Sequence, residues 1–169
     1  MENFLQALQK VKTIVLDVDG VMTNGQVIVM EDGQQVRSFF IKDGYAMNRA
    51  VKEGYEIVII SAGTYEGVRK RLEYLGIKDV FLGAGKKEAI FDDLAIKRGW
   101  DIDNVLYMGD DIPDFNIMKK VGLPTCPSDA APDIKNIARY VSPANGGSGA
   151  VRDILEKNNE NTRHLACMI

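Results

Sequence analysis

The chain has almost no histidine and little cysteine. Its 169 residues hold one histidine, His164, and two cysteines, Cys126 and Cys167. A single imidazole near the C-terminal end gives no basis for a multi-histidine metal centre or a histidine-based triad. Two cysteines make no disulfide framework, so a reducing cytoplasm is the expected compartment. No apolar run approaches the roughly 20 residues of a membrane span. The first residues lack the basic, apolar, small-residue order of a signal peptide. Excess positive charge is also missing: 21 Lys and Arg against 24 Asp and Glu give a net charge of −3. That balance offers no electrostatic case for nucleic acid or an anionic membrane as partner.

What is present suits one globular domain with a sizeable core, expected over residues 1–158, with a C-terminal tail at 159–169. Apolar runs alternate with helical patterns. Asn3 is placed to cap a short helix from Phe4 to Val11, and the apolar run that follows Lys12 and leads into Asp17 reads as a buried strand. Gln26–Met30 and Gln34–Phe40, around Gly33, read as a β-hairpin. A helix follows from Asp43 to Val51, then a strand at Tyr55–Ile60, a helix at Glu66–Leu75 and a strand at Val80–Leu82. Lys86–Arg98 is helical, Asn104–Met108 a strand, and Pro113 suits the first turn of a helix running to Val121. A strand near Leu123, a helix at Ala131–Ala138, an edge strand at Tyr140–Val141 and a helix at Val151–Lys157 complete the order. The alternation predicts a three-layer, Rossmann-like α/β fold with a mostly parallel sheet and an added hairpin.

The stretch from Lys12 to Thr23 organises the rest. Its apolar strand runs into Asp17-Val18-Asp19-Gly20, and in open α/β sheets the reactive crevice lies at the carboxyl ends of the strands. Two carboxylates this close repel by about 4 kcal/mol at a separation of roughly 4 Å and an effective dielectric of about 20. A proton, a cation or solvent must offset them. A competing reading is an Asp-rich turn present only for its geometry.

Other polar features fall at predicted strand ends: Ser61, Lys87, and Asp110, Asp111 and Asp114. Taken singly, Lys87 is a solvated helix lysine, Ser61 a turn residue, and Asp110 and Asp111 acids favoured by a helix dipole. Taken together they form a phosphoryl-transfer constellation. Oxygen ligands alone favour Mg²⁺, Lys87 supplies fixed positive charge, and Ser61 can donate to a phosphoryl oxygen.

The set Asp-Val-Asp-Gly-Val-Met-Thr, Ser61, Lys87 and Gly-Asp-Asp-x-x-Asp resembles the four motifs of the haloacid dehalogenase (HAD) superfamily of phosphatases. Asp17–Gly25, Ile41–Tyr45, Val68–Gly76, Tyr107–Asp114 and Gly146–Arg152 sharpen the resemblance to 3-deoxy-D-manno-octulosonate 8-phosphate phosphatases. The resemblance implies a HAD-like fold, Asp17 as nucleophile and Asp19 as general acid and base. It implies Mg²⁺ on Asp17, the Asp19 backbone carbonyl and Asp110, with Asp111 or Asp114 in support. Ser61 and Lys87 would hold the phosphoryl group. The implied substrate contacts are Asp19, Phe40, Ile41, Lys42, Asp43, Gly44, Asn48, Gly63, Arg71 and Lys87. Gly63 and Asn48 stand where the octulosonate enzymes carry arginine. A nonulosonate 9-phosphate phosphatase is the alternative enzyme. A receiver domain is disfavoured because Ser61, not an aspartate, ends the corresponding strand. A catalytically idle assembly subunit is disfavoured by the complete set of acids, hydroxyl and lysine.

Too few residues separate the motifs to hold a cap domain. The hairpin carries Val27, Ile28, Val29, Met30, Val36, Phe39 and Phe40, more apolar surface than a lone hairpin exposes. An oligomer in which a neighbour covers each site is expected, and the resemblance implies a homotetramer. The expected partner is a small sugar-acid phosphate, with no nucleic acid or membrane.

Overall fold

Every position of β1 (Thr13–Leu16) is buried, as a central strand covered on both faces requires. In the computed structural model, which describes residues 3–158, β1 lies between β4 (Glu56–Ile60) and β6 (Val105–Met108). Beyond these, β5 (Asp79–Phe81) forms one edge, while β7 (Leu123–Cys126) and β8 (Tyr140–Val141) extend to the other. The six strands run in the order β5-β4-β1-β6-β7-β8, and every pairing is parallel. Strand order reverses direction at β1, so a crevice opens there at the carboxyl ends.

Side-chain alternation divides the core into two layers. Ile14, Leu16, Ile57, Ile59, Leu106 and Met108 face α1 (Phe4–Leu8), α2 (Ile41–Lys52), α3 (Glu66–Tyr74) and α7 (Ala150–Asn158). Val15, Val58, Ile60, Val105 and Tyr107 face α4 (Lys87–Arg98), α5 (Phe115–Lys120) and α6 (Pro132–Ile137). Each fully buried Leu, Ile or Val contributes about 1.5–3 kcal/mol. The doubly covered sheet is the expected three-layer architecture.

Between β1 and β4 the chain forms only a hairpin, β2 (Ile28–Val29) with β3 (Gln35–Val36), and α2. Between β4 and α4 it forms only α3 and β5. Neither interval holds a cap domain. Most element ends shift by a residue, α1 stops at Leu8 rather than Val11, and three further differences bear on the site. The hairpin strands are two residues each, because an isolated two-stranded ribbon has no sheet to extend against. α2 begins at Ile41 rather than Asp43, with Phe40 at its N-cap. The segment after Asp111 is a 3₁₀ turn, Ile112–Asp114, before α5 begins at Phe115. The expected tail, with His164 and Cys167, lies outside the described residues. No helix among the described residues is long and apolar enough to cross a membrane.

Candidate active site

Parallel register brings the motifs together. Leu16 pairs with Ile59 and with Met108, so the residues that follow these strands leave the sheet at one level. The Asp17 amide still donates to the Met108 carbonyl at 3.1 Å. Asp17, Ser61 and Asp110 therefore start neighbouring loops, on β1, β4 and β6. Gly20 permits the turn after Asp19: its φ is +81°, and a Cβ there would lie 1.9 Å from Asp110 Oδ2.

Lys87, the first residue of α4, brings its ammonium into this crevice. Its Nζ lies 2.7 Å from Asp17 Oδ2 and 2.8 Å from Asp114 Oδ1, with both Lys87 and Asp17 6% exposed. Tyr107, fully buried on β6, donates its hydroxyl to Asp114 Oδ1 at 2.6 Å, and the Asp110 amide donates to Asp114 Oδ2 at 3.2 Å. Ser61 is buried beside them and accepts from the Gly63 amide at 3.4 Å.

The electrostatics show a surplus of negative charge. Burial, with repulsion from Asp114, pushes the Asp17 carboxyl up to about 6 despite Lys87. Burial and the charges of Asp17 and Asp114 push Asp110 up to about 7. Lys87 loses ion solvation on burial, yet Asp17 and Asp114 hold its pKa above the ordinary lysine value. Burial and the same carboxylates drive Tyr107 well above the ordinary phenol value, so it remains a neutral donor.

One oxygen in the cluster is unspent. Asp17 Oδ1 is buried and has no hydrogen-bond partner. Ligand atoms of Asp17, Asp110 and Asp114 all lie within 4.8 Å of one another. Hard carboxylate oxygens around an unsatisfied acceptor are a donor set that fits Mg²⁺. Asp111 is exposed and stands outside this trio.

Asp19 faces a different neighbour. Arg37, on the segment following β3, donates from Nε to Asp19 Oδ1 at 2.7 Å and from Nη2 to Oδ2 at 3.2 Å. Its guanidinium lies 3.4 Å from the Tyr65 ring centroid, and the Tyr65 hydroxyl donates to Gln35 Oε1 at 2.8 Å. Sequence reasoning assigned no role to Arg37, Tyr65 or Tyr107. The only signal was a single basic residue in an apolar hairpin.

The expected substrate contacts fall around the first turn of α2. A Cβ on Gly44 would lie 2.6 Å from Arg71 Nη2, so Arg71 of α3 packs over that turn. A Cβ on Gly63 would lie 2.5 Å from the Tyr65 ring and 3.7 Å from Asp19 Oδ2. Phe40 lies beside Gly149, and Lys42 stands 5.9 Å from the Phe40 ring centroid. Ile41 is exposed. Asp43 is buried and accepts from the Gly149 and Arg152 amides at 3.3 and 2.8 Å, joining α2 to the start of α7. Asn48 donates to the Leu75 carbonyl at 2.9 Å.

Comparison with known proteins agrees with this geometry. A family model described as haloacid dehalogenase-like hydrolase matches residues 83–155. The 3-deoxy-D-manno-octulosonate 8-phosphate phosphatase KdsC of Escherichia coli strain K12 is 34% identical over 148 residues, covering 88% of this chain and 79% of that protein. A probable YrbI family phosphatase from Pseudomonas syringae matches with a TM-score of 0.91 and 32% identity, covering 98% of this chain and 97% of that one. The 3-deoxy-D-manno-octulosonate 8-phosphate phosphatase of Moraxella catarrhalis, in complex with magnesium, phosphate and KDO, matches with a TM-score of 0.90 and 26% identity. Coverage there is 98% of this chain and 97% of that one. The chain belongs to the 3-deoxy-D-manno-octulosonate 8-phosphate phosphatase family of haloacid dehalogenase-like hydrolases.

Proposed function

We propose that this chain is a Mg²⁺-dependent phosphomonoesterase. It hydrolyses a phosphorylated 2-keto-3-deoxy sugar acid, 3-deoxy-D-manno-octulosonate 8-phosphate, to free sugar acid and phosphate. The observation that carries the reading is Asp17, with one buried oxygen held by Lys87 and the other without a partner.

Asp17 attacks phosphorus, forming an aspartyl-phosphate as the bond from phosphorus to the sugar oxygen breaks. Asp19 gives its proton to the departing oxygen, then takes one from the water that attacks the aspartyl-phosphate. Phosphate leaves and Asp17 is regenerated. Lys87 and Ser61 hold the phosphoryl oxygens, and a carboxyl pushed only to about 6 remains largely ionised at neutral pH. Asp17, Asp110 and the Asp19 backbone carbonyl would hold Mg²⁺, with Asp114 in support, and the bound ion offsets the charge that the acids share with the phosphoryl group.

The names of the family relatives support the sugar acid as substrate, as does the position of Arg71 against Gly44. Phe40, Ile41, Lys42, Asp43 and Gly44 form the substrate turn in this reading. A nine-carbon acid 9-phosphate is the second reading. It stays open because Gly63 and Asn48, whose amide is committed to Leu75, stand where the octulosonate enzymes carry arginine. The cytoplasm is the place of reaction. A homotetramer is the working assembly that the family resemblance implies, and Ile28, Val29, Met30 and Val36 exposed on the hairpin support association of copies.

The experiment is Asp17→Asn. Turnover with Mg²⁺ should vanish while circular dichroism and melting behaviour stay those of a folded protein. Turnover retained in that folded variant would rule out the covalent mechanism.

A further inference from the structure

We propose that Arg37 binds the carboxylate of the substrate, bringing a guanidinium from the hairpin to the leaving-group side of the site. This rests on the sugar-acid phosphate reading above, and it adds the residue that distinguishes an acid sugar from a neutral one.

Arg37 is an exception on its hairpin. Around it Ile28, Val29, Met30 and Val36 are exposed, whereas its own side chain is only 5% exposed. A guanidinium has five N–H donors in a fixed plane. The Nε donor and one Nη2 donor are spent on the Asp19 carboxylate, at 2.7 and 3.2 Å. Nη1 is buried with no hydrogen-bond partner. Buried donors left unmet are costly and uncommon, and a ligand acceptor at Nη1 relieves that cost. The planar fork of arginine matches a carboxylate particularly well.

Location decides which anion is bound. The phosphoryl side of the crevice already holds Lys87, bonded to Asp17 and Asp114. Arg37 is bonded to Asp19, the group that meets the leaving sugar oxygen. A charge tethered there meets the sugar rather than the phosphoryl group.

The surrounding structure fixes its plane. The guanidinium stacks 3.4 Å from the Tyr65 ring centroid, and Tyr65 is held to Gln35 by its hydroxyl. Gly63 makes this possible: a Cβ there would stand 2.5 Å from the Tyr65 ring. A side chain at position 63 would displace Tyr65 and with it the stack. The absence of a side chain at Gly63 and the presence of Arg37 are therefore two parts of one arrangement. Positive charge enters from the hairpin instead of from the loop after β4.

The test crosses Arg37→Ala with removal of the substrate's charge. kcat/KM is measured for the sugar-acid phosphate and for its primary amide analogue, with wild type and variant. A charge-assisted contact predicts that wild type prefers the carboxylate by about 10- to 100-fold, and that most of this preference disappears in Arg37→Ala. Arg37→Lys, which keeps charge without the fork, should recover part of it, mainly in KM. Calorimetric binding of the free sugar acid and its amide gives the same comparison where variant turnover is too slow. If wild type prefers the carboxylate and Arg37→Ala loses equally on both substrates, Arg37 acts only through Asp19 and the proposal is overturned. If wild type shows no preference, the sugar-acid reading fails and this proposal fails with it.

Discussion

Lys87 sits at the first position of α4, where the helix dipole disfavours a cation. Two carboxylates within 2.8 Å outweigh that dipole and the loss of solvation. Even so, with all three acids ionised, three carboxylates against one ammonium leave two negative charges around Asp17, Asp110 and Asp114, which a divalent cation would neutralise. Asp110→Asn removes one crowded acid, so the metal-free variant should melt a few degrees higher than wild type. Adding Mg²⁺ at 100 times its Kd should stabilise wild type by about 2.7 kcal/mol and the variant by much less, with turnover falling in parallel. Equal Mg²⁺ shifts in thermal melts of the two proteins would contradict Asp110 as a ligand. Asp17, Asp19, Lys87 and Asp110 were legible in the sequence because each follows a strand or opens a helix at the carboxyl edge. Tyr107 and Arg37 were not. Tyr107 looks like any inward strand aromatic until Asp114 folds back to its hydroxyl, and Arg37 finds Asp19 across 18 residues of chain.

At the scale of elements, long buried strands and helices were readable from apolar periodicity, and the divergences arise where tertiary contacts decide. α2 starts two residues before expectation because Asp43 is not a helix-opening acid in solvent. Its carboxylate turns inward to the Gly149 and Arg152 amides, so the Gly146–Gly149 segment and the first turn of α2 are tied together. Burial raises the Asp43 pKa against the pull of those two amides, a contest that no local pattern reveals. The hairpin is the element least explained by its own chain. Its strands pair over two residues each, and Ile28 and Val29 are 63% and 67% exposed. A ribbon this small is marginal alone, and the face that pairs Ile28 with Val36 is apolar enough to suit copies of itself. Ile28→Asp should convert the proposed assembly to monomers in light scattering with little change in the fold of each chain. A wild-type protein that is monomeric while fully active would contradict closure of the site by a neighbour.

For the whole molecule, the order of strands does most of the positioning. Strands β4, β1 and β6 end at one level, and the loops leaving them carry Asp17, Ser61 and the acids Asp110 and Asp114 with no domain inserted above. The architecture was legible because alternating strands and helices leave few topologies open. The substrate was less so, since the recognition proposed above rests on side chains from the hairpin, α2 and α3 that meet only after folding. Arg71 against Gly44 and Arg37 against Asp19 are both contacts of this kind. The reaction proposed for this crevice is hydrolysis of a phosphomonoester of an acid sugar. Its most direct test is kcat/KM with Mg²⁺ for 3-deoxy-D-manno-octulosonate 8-phosphate, a nonulosonate 9-phosphate, a hexose 6-phosphate and an aryl phosphate. The octulosonate ester should lead the hexose and aryl esters by about 100-fold or more, the discrimination that desolvated charge-assisted contacts supply. Equal values across the four esters, or none above background, would contradict it.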